Sequence, residues 1–245
     1  MSNPGSKVTL IVPTLNEIEG MEWFMPQLKQ EWYEELIVID GESTDGTVEY
    51  CNKNNYPVVF QSGKGLARAT DDAFAHSTKD IIIFVTPDGN SLPELIPQLV
   101  AKMKEGYDMV IVSRYLGNAK SYDDDFITAF GNKMFTKMVN VFFKANYTDS
   151  LVIYRAYRRD AILKMGLHKQ EGENRIKNRF STYVNSWELG SSIRDAKLIR
   201  VAEIPGDEPK RIGGNRNLSI IKHGFGALYQ IFYELFASSK FKEDV

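Results

Sequence analysis

Short apolar runs alternate with longer amphipathic segments through the first half of the chain. The runs that predict β-strands cover residues 8–12, 36–39, 58–60, 81–85 and 109–112. The segments that predict helices between them cover residues 17–30, 47–54, 65–76 and 93–105. This order predicts βαβ units with right-handed crossovers, and hence an α/β fold with a mostly parallel sheet flanked by helices.

The pattern changes to two long amphipathic helices in the second half of the chain. Residues 123–143 and 218–236 carry apolar side chains at helical spacing. These side chains are Ile127, Phe130, Met134, Met138 and Phe142 in the first helix, and Leu218, Ile221, Phe225, Leu228, Phe232 and Leu235 in the second. The simpler interpretation is that they cover the sheet or each other. Contact with a lipid surface is the alternative, which the bulky Phe and Met favour and the small number of Lys opposes.

Composition and charge exclude several classes of protein. The 245 residues carry 30 Lys or Arg and 32 Asp or Glu, a formal net charge of −2, so no nucleic-acid partner is expected. The single cysteine, Cys51, favours a reducing compartment. No apolar stretch approaches the ~20 residues of a spanning helix. We expect a cytoplasmic protein, with peripheral contact on the cytoplasmic face of a membrane as the alternative.

Polar turns follow the predicted strands, at the edge of the sheet where ligands of open α/β sheets bind. The second strand ends in Asp40, a carboxylate that costs desolvation unless it has a partner. In the same turn, Asp45 is suited to a ligand or, equally, to an Asx-turn or helix cap. Gly63-Lys64-Gly65 lacks the full phosphate-loop pattern. Even so, Lys64 and Arg68 at the start of a predicted helix suit an anionic ligand.

The fourth predicted strand ends in the turn Thr-Pro-Asp-Gly-Asn. Asp88 and Asn90 supply two oxygen donors suited to a hard cation, Mg²⁺ or Mn²⁺. Two protein ligands are too few for a dedicated cage, but the count is typical where phosphate oxygens of a bound nucleotide complete the metal's shell. The turn therefore predicts a metal site shared with a nucleotide.

Six motifs occur along the chain in one order: P-T-L-N-E, I-D-G-E-S-T-D-G-T, G-K-G-x-A-R, T-P-D-G-N-x-x-P-E, S-R-Y and R-I-G-G. In this order they resemble family 2 glycosyltransferases, and most closely the branch of dolichyl-phosphate mannose synthases and polyprenyl-phosphate sugar transferases. The resemblance spans residues 8 to about 218. It implies a GT-A fold, with a Rossmann-like sheet, over residues 1–217. Residues 218–245 would form an amphipathic helix and tail, packed on that domain, at a membrane surface or at a dimer interface.

The resemblance also implies roles for individual residues. Those expected to bind the nucleotide are Pro13, Thr14, Glu17, Asp40, Lys64 and Arg68, with Asp45 matching the second acid of the family's D-x-S-x-D turn. Asp88 matches a metal-binding acid, and Asn90 stands where this branch has a further oxygen ligand. Arg114 and Arg211 match arginines associated with acceptor and donor phosphates, a role that suits the guanidinium fork.

Three departures from the family pattern bear on the chemistry. Thr86 replaces the first acid of the metal motif, and Asn217 stands where a lysine is common. The acidic run Asp123–Asp125 replaces basic residues near the acceptor phosphate. That run is either a helix N-terminus stabilised by negative charge or the source of a general base.

The implied reaction is inverting transfer of a sugar from a nucleoside diphosphate to a polyprenyl phosphate or related lipid-linked acceptor, with Asp88, Arg114, Asp125 and Arg211 as catalytic residues. Two alternatives stay open. One is transfer to a hydroxyl of a saccharide or small molecule in surface polysaccharide synthesis, which needs a general base. The candidates for that base are Asp123, Asp124, Asp125, Asp149 and Glu188. The other is a non-catalytic protein that binds nucleotide sugars.

Overall fold

Seven strands form one sheet within the part of the chain that the computed structural model describes, residues 7–168, 187–194, 199–213 and 220–237. Their bounds are β1 Val8–Thr14, β2 Glu35–Asp40, β3 Val58–Phe60, β4 Ile81–Phe84, β5 Met109–Ser113, β6 Arg155–Arg158 and β7 Val201–Pro205. The order across the sheet is β3-β2-β1-β4-β6-β5-β7. Only β6 runs antiparallel to its neighbours, so the expected mostly parallel α/β sheet is confirmed.

Eight α-helices accompany the sheet in the described residues. Their bounds are α1 Ile18–Phe24, α2 Thr47–Lys53, α3 Leu66–His76, α4 Ile96–Lys104, α5 Phe126–Phe143, α6 Arg159–Lys164, α7 Trp187–Arg194 and α8 Ile220–Ala237. The helix expected over residues 17–30 is shorter, because the chain passes into a 3-10 turn, Met25–Gln27, that contains Pro26. Residues 214–219 lie outside the described ranges, and with them Asn217, Leu218 and the expected domain boundary.

The strand polarity brings the polar turns together. Because β1, β2, β4, β5 and β7 are parallel, their carboxyl ends meet at one edge of the sheet. β6 enters between β4 and β5 from that same edge, with Arg155 as its first residue. The turns after Thr14, Asp40, Phe84 and Ser113 therefore surround a common space.

Arg155 explains why β6 is hard to recognise in the sequence. The strand reads Arg-Ala-Tyr-Arg, yet Arg155 is fully buried. Its guanidinium donates to the carbonyl oxygens of Val152, at 2.6 Å, and Glu188, at 2.9 Å, and to the hydroxyls of Ser191 and Ser192. A buried charge costs free energy unless its donors are hydrogen-bonded. Nε and Nη1 are bonded in this way, whereas Nη2 has no partner within the described residues. The contacts of Nη1 also fasten α7 to the sheet.

The two amphipathic helices bury only part of the face expected, in which Met138 and Leu228 pack against the core. On α5, the buried side chains are Phe135, Thr136 and Val139, whereas Ile127 is 65% exposed and Phe130 is 62% exposed. The interpretation that the predicted stripe packs inward is therefore wrong for these two residues. The helix packs against α7 and α8 through a narrower strip that lies about two turns further along.

Aromatic side chains extend this exposed surface onto α8. Phe142 of α5 contacts Phe232 of α8, with ring centroids 6.2 Å apart. Phe225 and Phe236 of α8 are exposed, and so is Phe126, at 87%. We call the exposed apolar side chains of these two helices the α5/α8 face. Among the described residues, no helix is both long and apolar enough to cross a membrane.

Substitution of Trp187, at the start of α7, measures how much the aromatic core contributes to the free energy of unfolding. Its ring packs against Phe74, Phe84 and Tyr157, and its indole donates to Asp71 at 2.8 Å. We expect Trp187→Ala to lower the free energy of unfolding by about 3–5 kcal/mol, measured by urea denaturation. Phe126→Ala, at an exposed aromatic, is the control and should change it by less than about 0.5 kcal/mol. Equal losses in the two variants would contradict this assignment of the core.

Candidate functional site

Asp40, at the end of β2, organises the turn that follows it. Its side chain is fully buried and accepts hydrogen bonds from Thr14 Oγ1 at 3.0 Å, from the Ser43 amide at 2.8 Å and from Ser43 Oγ at 2.6 Å. These donors compensate the desolvation of the carboxylate. Asp40 thus links the ends of β1 and β2 and shapes the turn, and it is not among the described residues that line the neighbouring cavity.

Asp45 holds the starts of two helices. Its carboxylate accepts from the Ile18 amide at 3.0 Å, in α1, and from the Thr47 amide and hydroxyl at 3.0 and 2.6 Å, in α2. Burial opposes ionisation, but the hydrogen bonds from Thr47 and Ile18 outweigh it and lower the pKa of Asp45. Of the uses expected for this residue, the structure shows the Asx-turn, in which the carboxylate accepts from the amide two residues further along.

Arg211 bonds two carboxylates that lie at the ends of separate strands. Its guanidinium donates to Glu17 Oε1 at 2.9 Å and contacts Asp88 Oδ2 at 2.7 Å. Burial raises the pKa of Glu17 to about 7; the charge of Arg211 opposes this rise and that of Asp88 adds to it. Glu17 Oε2 and Arg211 Nε have no hydrogen-bond partner within the described residues. The geometry therefore places a cation and two acids in a polar cleft.

The segment that carries Arg211 lies directly on the Thr-Pro-Asp-Gly-Asn turn. The Ile212 amide donates to the Asp88 carbonyl oxygen at 2.7 Å, and Asn90 Nδ2 donates to the Pro209 carbonyl oxygen at 2.8 Å. Gly89 has φ +86°, and a Cβ there would lie 2.8 Å from Ile212 Cγ1. Glycine is needed at this position both for the backbone conformation and for the close approach of the segment.

Asp88 and Asn90 are the described residues that best fit a metal. Carboxylate oxygens and side-chain amide oxygens suit Mg²⁺ or Mn²⁺. The backbone N–H of Asn90 donates to Asp88 Oδ1 at 3.1 Å, which holds the two residues on one turn. No cluster of three or more His, Cys, Asp or Glu suited to a metal occurs in the described ranges. Thr86, in place of the family's first acid, bonds instead to Ser91 Oγ through its amide and hydroxyl. A metal bound to Asp88 and Asn90 would need further oxygen atoms from a molecule bound in the cleft.

Arg114, at the end of β5, is surrounded by carboxylates. Its Nε and Nη2 donate to both oxygens of Asp149, at 2.6 and 3.0 Å, and its Nη1 donates to Glu208 at 3.3 Å. Asp124 Oδ2 lies 3.9 Å from Nη1. Burial opposes the charge, but Asp149 and Glu208 outweigh it and raise the pKa of Arg114 above its ordinary value. The phosphate-binding role expected of Arg114 stays a prediction, and its donors already serve these acids.

The three residues of the acidic run have different environments. Asp123 accepts from the Arg211 amide at 3.2 Å. Asp124 is buried, accepts from the Tyr115 hydroxyl, and accepts from Asn132 Nδ2 at 3.1 Å. Asp125 is the N-cap of α5, where it accepts from the Thr128 amide at 2.8 Å. The catalytic role expected of Asp125 stays a prediction, and the observed role of its side chain is capping.

One cavity of about 950 Å³ joins these groups. At one end it is lined by the strand-end residues Pro13, Thr14, Glu17, Lys64, Asp88, Asn90 and Arg211. At the other end it is lined by Arg114, Asp123, Asp124, Glu188 and Glu208. Residues of α5 and α8 also line this end, both the apolar Ile127, Phe135 and Ala227 and the polar Thr128, Asn132, His223 and Gln230. Of the residues expected to bind a nucleotide, Asp40 and Arg68 are absent from this described lining.

Sequence reasoning missed Glu208, Tyr115 and Asn132. Glu208 follows β7, a strand that the apolar pattern did not reveal, and it lies 94 residues from Arg114 in the chain. Tyr115 stands inside the S-R-Y motif, which was the one available signal. Burial raises the pKa of the Tyr115 hydroxyl well above its ordinary value, so this group remains a hydrogen-bond donor to Asp124.

Comparison with known proteins places the chain in a family. Residues 9–166 match the protein family described as Glycosyl transferase family 2. The chain belongs to this family. The expected family is thereby confirmed, and the match includes the turns that carry Asp40, Asp88 and Arg114.

Two curated relatives within the family are similar over part of their length. Glycosyltransferase AglJ of Haloferax volcanii is 29% identical over 161 residues, which are 65% of this chain and 53% of that protein. Dolichol-phosphate mannosyltransferase of Pyrococcus furiosus is 33% identical over 122 residues, 46% of this chain and 35% of that protein. The chain thus spans about half, or less, of the length of these relatives.

Solved structures show the same fold. Glucosyl-3-phosphoglycerate synthase from Mycobacterium tuberculosis, in complex with Mn²⁺, uridine diphosphate and phosphoglyceric acid, matches with a TM-score of 0.67. The identity is 18%, and the match covers 94% of this chain and 79% of that chain. The same enzyme with Mg²⁺ and uridine diphosphate also gives 0.67, at 19% identity, over 95% and 80% of the two chains. These structural matches confirm the expected GT-A fold.

The pKa of Glu17 makes a prediction about stability. Because the folded-state pKa is raised to about 7 from an ordinary 4.5, the folded protein holds a proton that the unfolded chain releases, and stability falls as pH rises through this window. In Glu17→Gln, the melting temperature without metal or nucleotide should fall less between pH 5 and pH 8 than in the wild type. Glu22→Gln, at an exposed position on the same helix, is the matched control and should follow the wild type. An unchanged pH dependence in Glu17→Gln would refute the assignment.

Proposed function

We propose that this protein transfers a sugar, with inversion, from a nucleoside diphosphate to a lipid-linked acceptor. The observation that carries the proposal is one cavity of about 950 Å³, lined both by the polar strand-end cleft around Asp88 and Arg211 and by residues of α5 and α8, which include the apolar Ile127, Phe135 and Ala227. The charged and polar side chains of the first end suit the diphosphate of a nucleotide sugar. The apolar side chains of α5 and α8 suit the hydrocarbon chain of an acceptor. Membership of the glycosyltransferase family supports both assignments.

The donor end has the groups that hold a diphosphate. Asp88 and Asn90 would bind Mg²⁺ or Mn²⁺, which supplies positive charge to neutralise the departing diphosphate. Arg211 and Lys64 line the same cleft and add fixed cations there. With a metal on Asp88, the Arg211 fork would exchange a carboxylate for phosphate oxygens, which it matches in geometry. The neighbouring synthase structures were determined with Mn²⁺ or Mg²⁺ and uridine diphosphate or its glucose ester, which supports this ligand class.

The helices α5 and α8, which line the acceptor end, also carry a surface suited to lipid. The α5/α8 face carries exposed Phe126, Phe130 and Phe225. Apart from Asp125, the exposed N-cap of α5, the exposed charged side chains along the two helices are lysines, and lysines complement an anionic membrane surface. These are Lys133, Lys137, Lys144 and Lys222. No Asp or Glu occurs in α5, and Glu234 of α8 is buried and paired with Arg194. The curated mannosyltransferase, whose name specifies dolichol phosphate, supports a lipid-linked acceptor.

Asp88 tests the donor half of the proposal. We expect Mn²⁺ and a nucleoside diphosphate sugar together to raise the melting temperature of the wild type, because a ligand that binds only the folded state stabilises it. In Asp88→Asn, the part of this shift that depends on Mn²⁺ should disappear. Asp160→Asn, at an exposed acid paired with Lys164 on α6, is the control and should keep the full shift.

Screening several bases and sugars in this assay identifies the donor. No shift with any donor, with or without Mn²⁺, would refute the donor assignment. A shift that depends on Mn²⁺ but is accompanied by neither transfer nor hydrolysis of the donor would instead support a non-catalytic binding protein.

The α5/α8 face tests the acceptor half. Replacing Phe126 and Phe130 together by Ser should reduce co-sedimentation with anionic lipid vesicles at least ~10-fold, because burying each aromatic ring stabilises the bound state by about 1.5–3 kcal/mol. Leu163→Ser, at an exposed apolar residue on α6, is the matched control and should bind like the wild type. Vesicle binding that is unchanged in the double variant would count against a membrane role. A concentration-dependent dimer lost in the double variant would assign the face to a homodimer.

A further inference from the structure

The segment that follows β7, residues 206–213, lies outside the regular helices and strands and takes its backbone hydrogen bonds from neighbouring elements. On one side, the Glu208 amide donates to the Lys120 carbonyl oxygen at 2.9 Å, and the Glu208 carbonyl oxygen accepts from the Tyr122 amide at 2.8 Å. On the other side, the segment lies against the Thr-Pro-Asp-Gly-Asn turn. Because backbone groups removed from water need such partners, these two neighbours determine where the segment lies.

Two hydrogen bonds to this turn flank Arg211 in the segment. Two residues before Arg211, the Pro209 carbonyl oxygen accepts from Asn90 Nδ2 at 2.8 Å. One residue after it, the Ile212 amide donates to the Asp88 carbonyl oxygen at 2.7 Å. Between these bonds, the guanidinium lies 2.7 Å from the Asp88 carboxylate. The turn that carries Asp88 therefore fixes the backbone on both sides of Arg211.

Asn90 contributes a side chain to this arrangement, and the orientation of its amide follows from chemistry. A backbone carbonyl oxygen only accepts hydrogen bonds, so the atom of the amide that faces Pro209 must be the nitrogen. The oxygen, Oδ1, lies on the other arm of the planar group. Within the described residues no group donates to this oxygen, and Asn90 lines the cavity. One side chain thus offers a donor to the segment and an acceptor to the cleft.

We propose that Asn90 is a positioning residue for Arg211, a role beyond that of the metal ligand expected of it. Its Nδ2 holds the segment on the turn, and its Oδ1 is left for the metal. We call the hydrogen bond from Asn90 to Pro209 the Asn90 anchor. The proposal rests on the proposed function, in which Arg211 binds the diphosphate of the donor. Because a guanidinium binds phosphate oxygens in a defined geometry, the anchor affects the affinity for the donor.

An amide at position 90 serves both purposes, whereas a carboxylate would serve one. A carboxylate offers a charged oxygen to a hard cation, but when ionised it has no hydrogen to donate. Opposite the Pro209 carbonyl oxygen it would bring two acceptors together, which costs free energy because the hydrogen bond is lost. The two roles therefore predict opposite results for Asn90→Asp. A metal ligand is preserved or strengthened by the change, and the anchor is lost.

Hydrogen exchange tests the anchor without any ligand. In Asn90→Asp, peptides that contain the amides of Arg211 and Ile212 should exchange ~2–10-fold faster than in the wild type, the effect of losing one hydrogen bond. Asn140→Asp is the matched control, because Asn140 Nδ2 donates to the Tyr147 carbonyl oxygen at 2.8 Å and lies outside the described lining of the cavity. It should leave these amides unchanged. Wild-type exchange in Asn90→Asp would overturn the proposal.

Nucleotide binding tests whether the anchor acts on the donor end. Uridine, guanosine, adenosine and cytidine diphosphates are titrated singly, with Mn²⁺, into the full chain in a calorimeter. For a diphosphate that binds the wild type, Asn90→Asp should raise Kd at least ~5-fold, because the charge-assisted bonds of Arg211 are weakened. An unchanged or lower Kd would make Asn90 a metal ligand alone and overturn the proposal. If none binds the wild type, the donor assignment is refuted, and the exchange rates still decide the anchor.

A double-mutant cycle separates positioning from a general structural effect. In Arg211→Ala the guanidinium is absent, so Asn90→Asp should no longer raise Kd when it is added to this variant. The same fold increase in both backgrounds would show that Asn90 does not act through Arg211, and would overturn the proposal.

A second variant covers the case in which Asn90→Asp does not fold. Asn90→Ala removes the same hydrogen bond without placing a charge opposite the Pro209 carbonyl oxygen. It should give the same rise in exchange at Arg211 and Ile212. Wild-type exchange in Asn90→Ala would overturn the proposal.

Discussion

The pairing of Arg211 with Glu17 and Asp88 is the interaction on which the candidate site depends. Parallel strands bring the ends of β1 and β4 to one edge of the sheet, and each end contributes an acid. Two carboxylates in a partly buried cleft repel each other unless a cation lies between them. Arg211 supplies that charge from a segment nearly two hundred residues away in the chain, and so fastens this segment to the Thr-Pro-Asp-Gly-Asn turn.

The contact between Arg211 and Asp88 gives the donor end of the cavity two possible arrangements, one without a metal and one with it. Without a metal, Arg211 neutralises Asp88 directly. A divalent cation on Asp88 would compete with this contact and free the guanidinium for phosphate. Because Asp88 and Asn90 provide two ligands and Thr86 bonds to Ser91, metal and nucleotide would bind in a mutually dependent way. If a metal binds there, the threonine at position 86 in place of an acid would weaken metal binding more without a nucleotide than with one, because phosphate oxygens would then complete the shell.

The parts that the sequence predicts well are those determined by local pattern. Strands β1 to β5 and helices α2 and α3 follow from apolar runs and their spacing, and the turn after β4 is identifiable from Asp88 and Asn90. Strand β6 is not predicted because an arginine in the sequence indicates a surface position. Only the folded chain shows the carbonyls and serines that bond Nε and Nη1 of Arg155. The prediction that the apolar stripe of α5 packs inward is wrong at Ile127 and Phe130 for a related reason. Helical spacing identifies an apolar face, but which face meets the core depends on the position of α7 and α8.

Arg114 shows why a motif does not determine a role. The Ser-Arg-Tyr sequence predicts a cation at the end of β5, and the cation is there. What it can bind depends on the acids around it, which come from positions 35 and 94 residues further along the chain. With Asp149 and Glu208 in place, the donors of the guanidinium bind carboxylates. The three adjacent aspartates then separate into a contact to Arg211, a held carboxylate in the cavity and a helix cap. Local sequence cannot distinguish these roles, because they differ only in what each side chain meets in the fold.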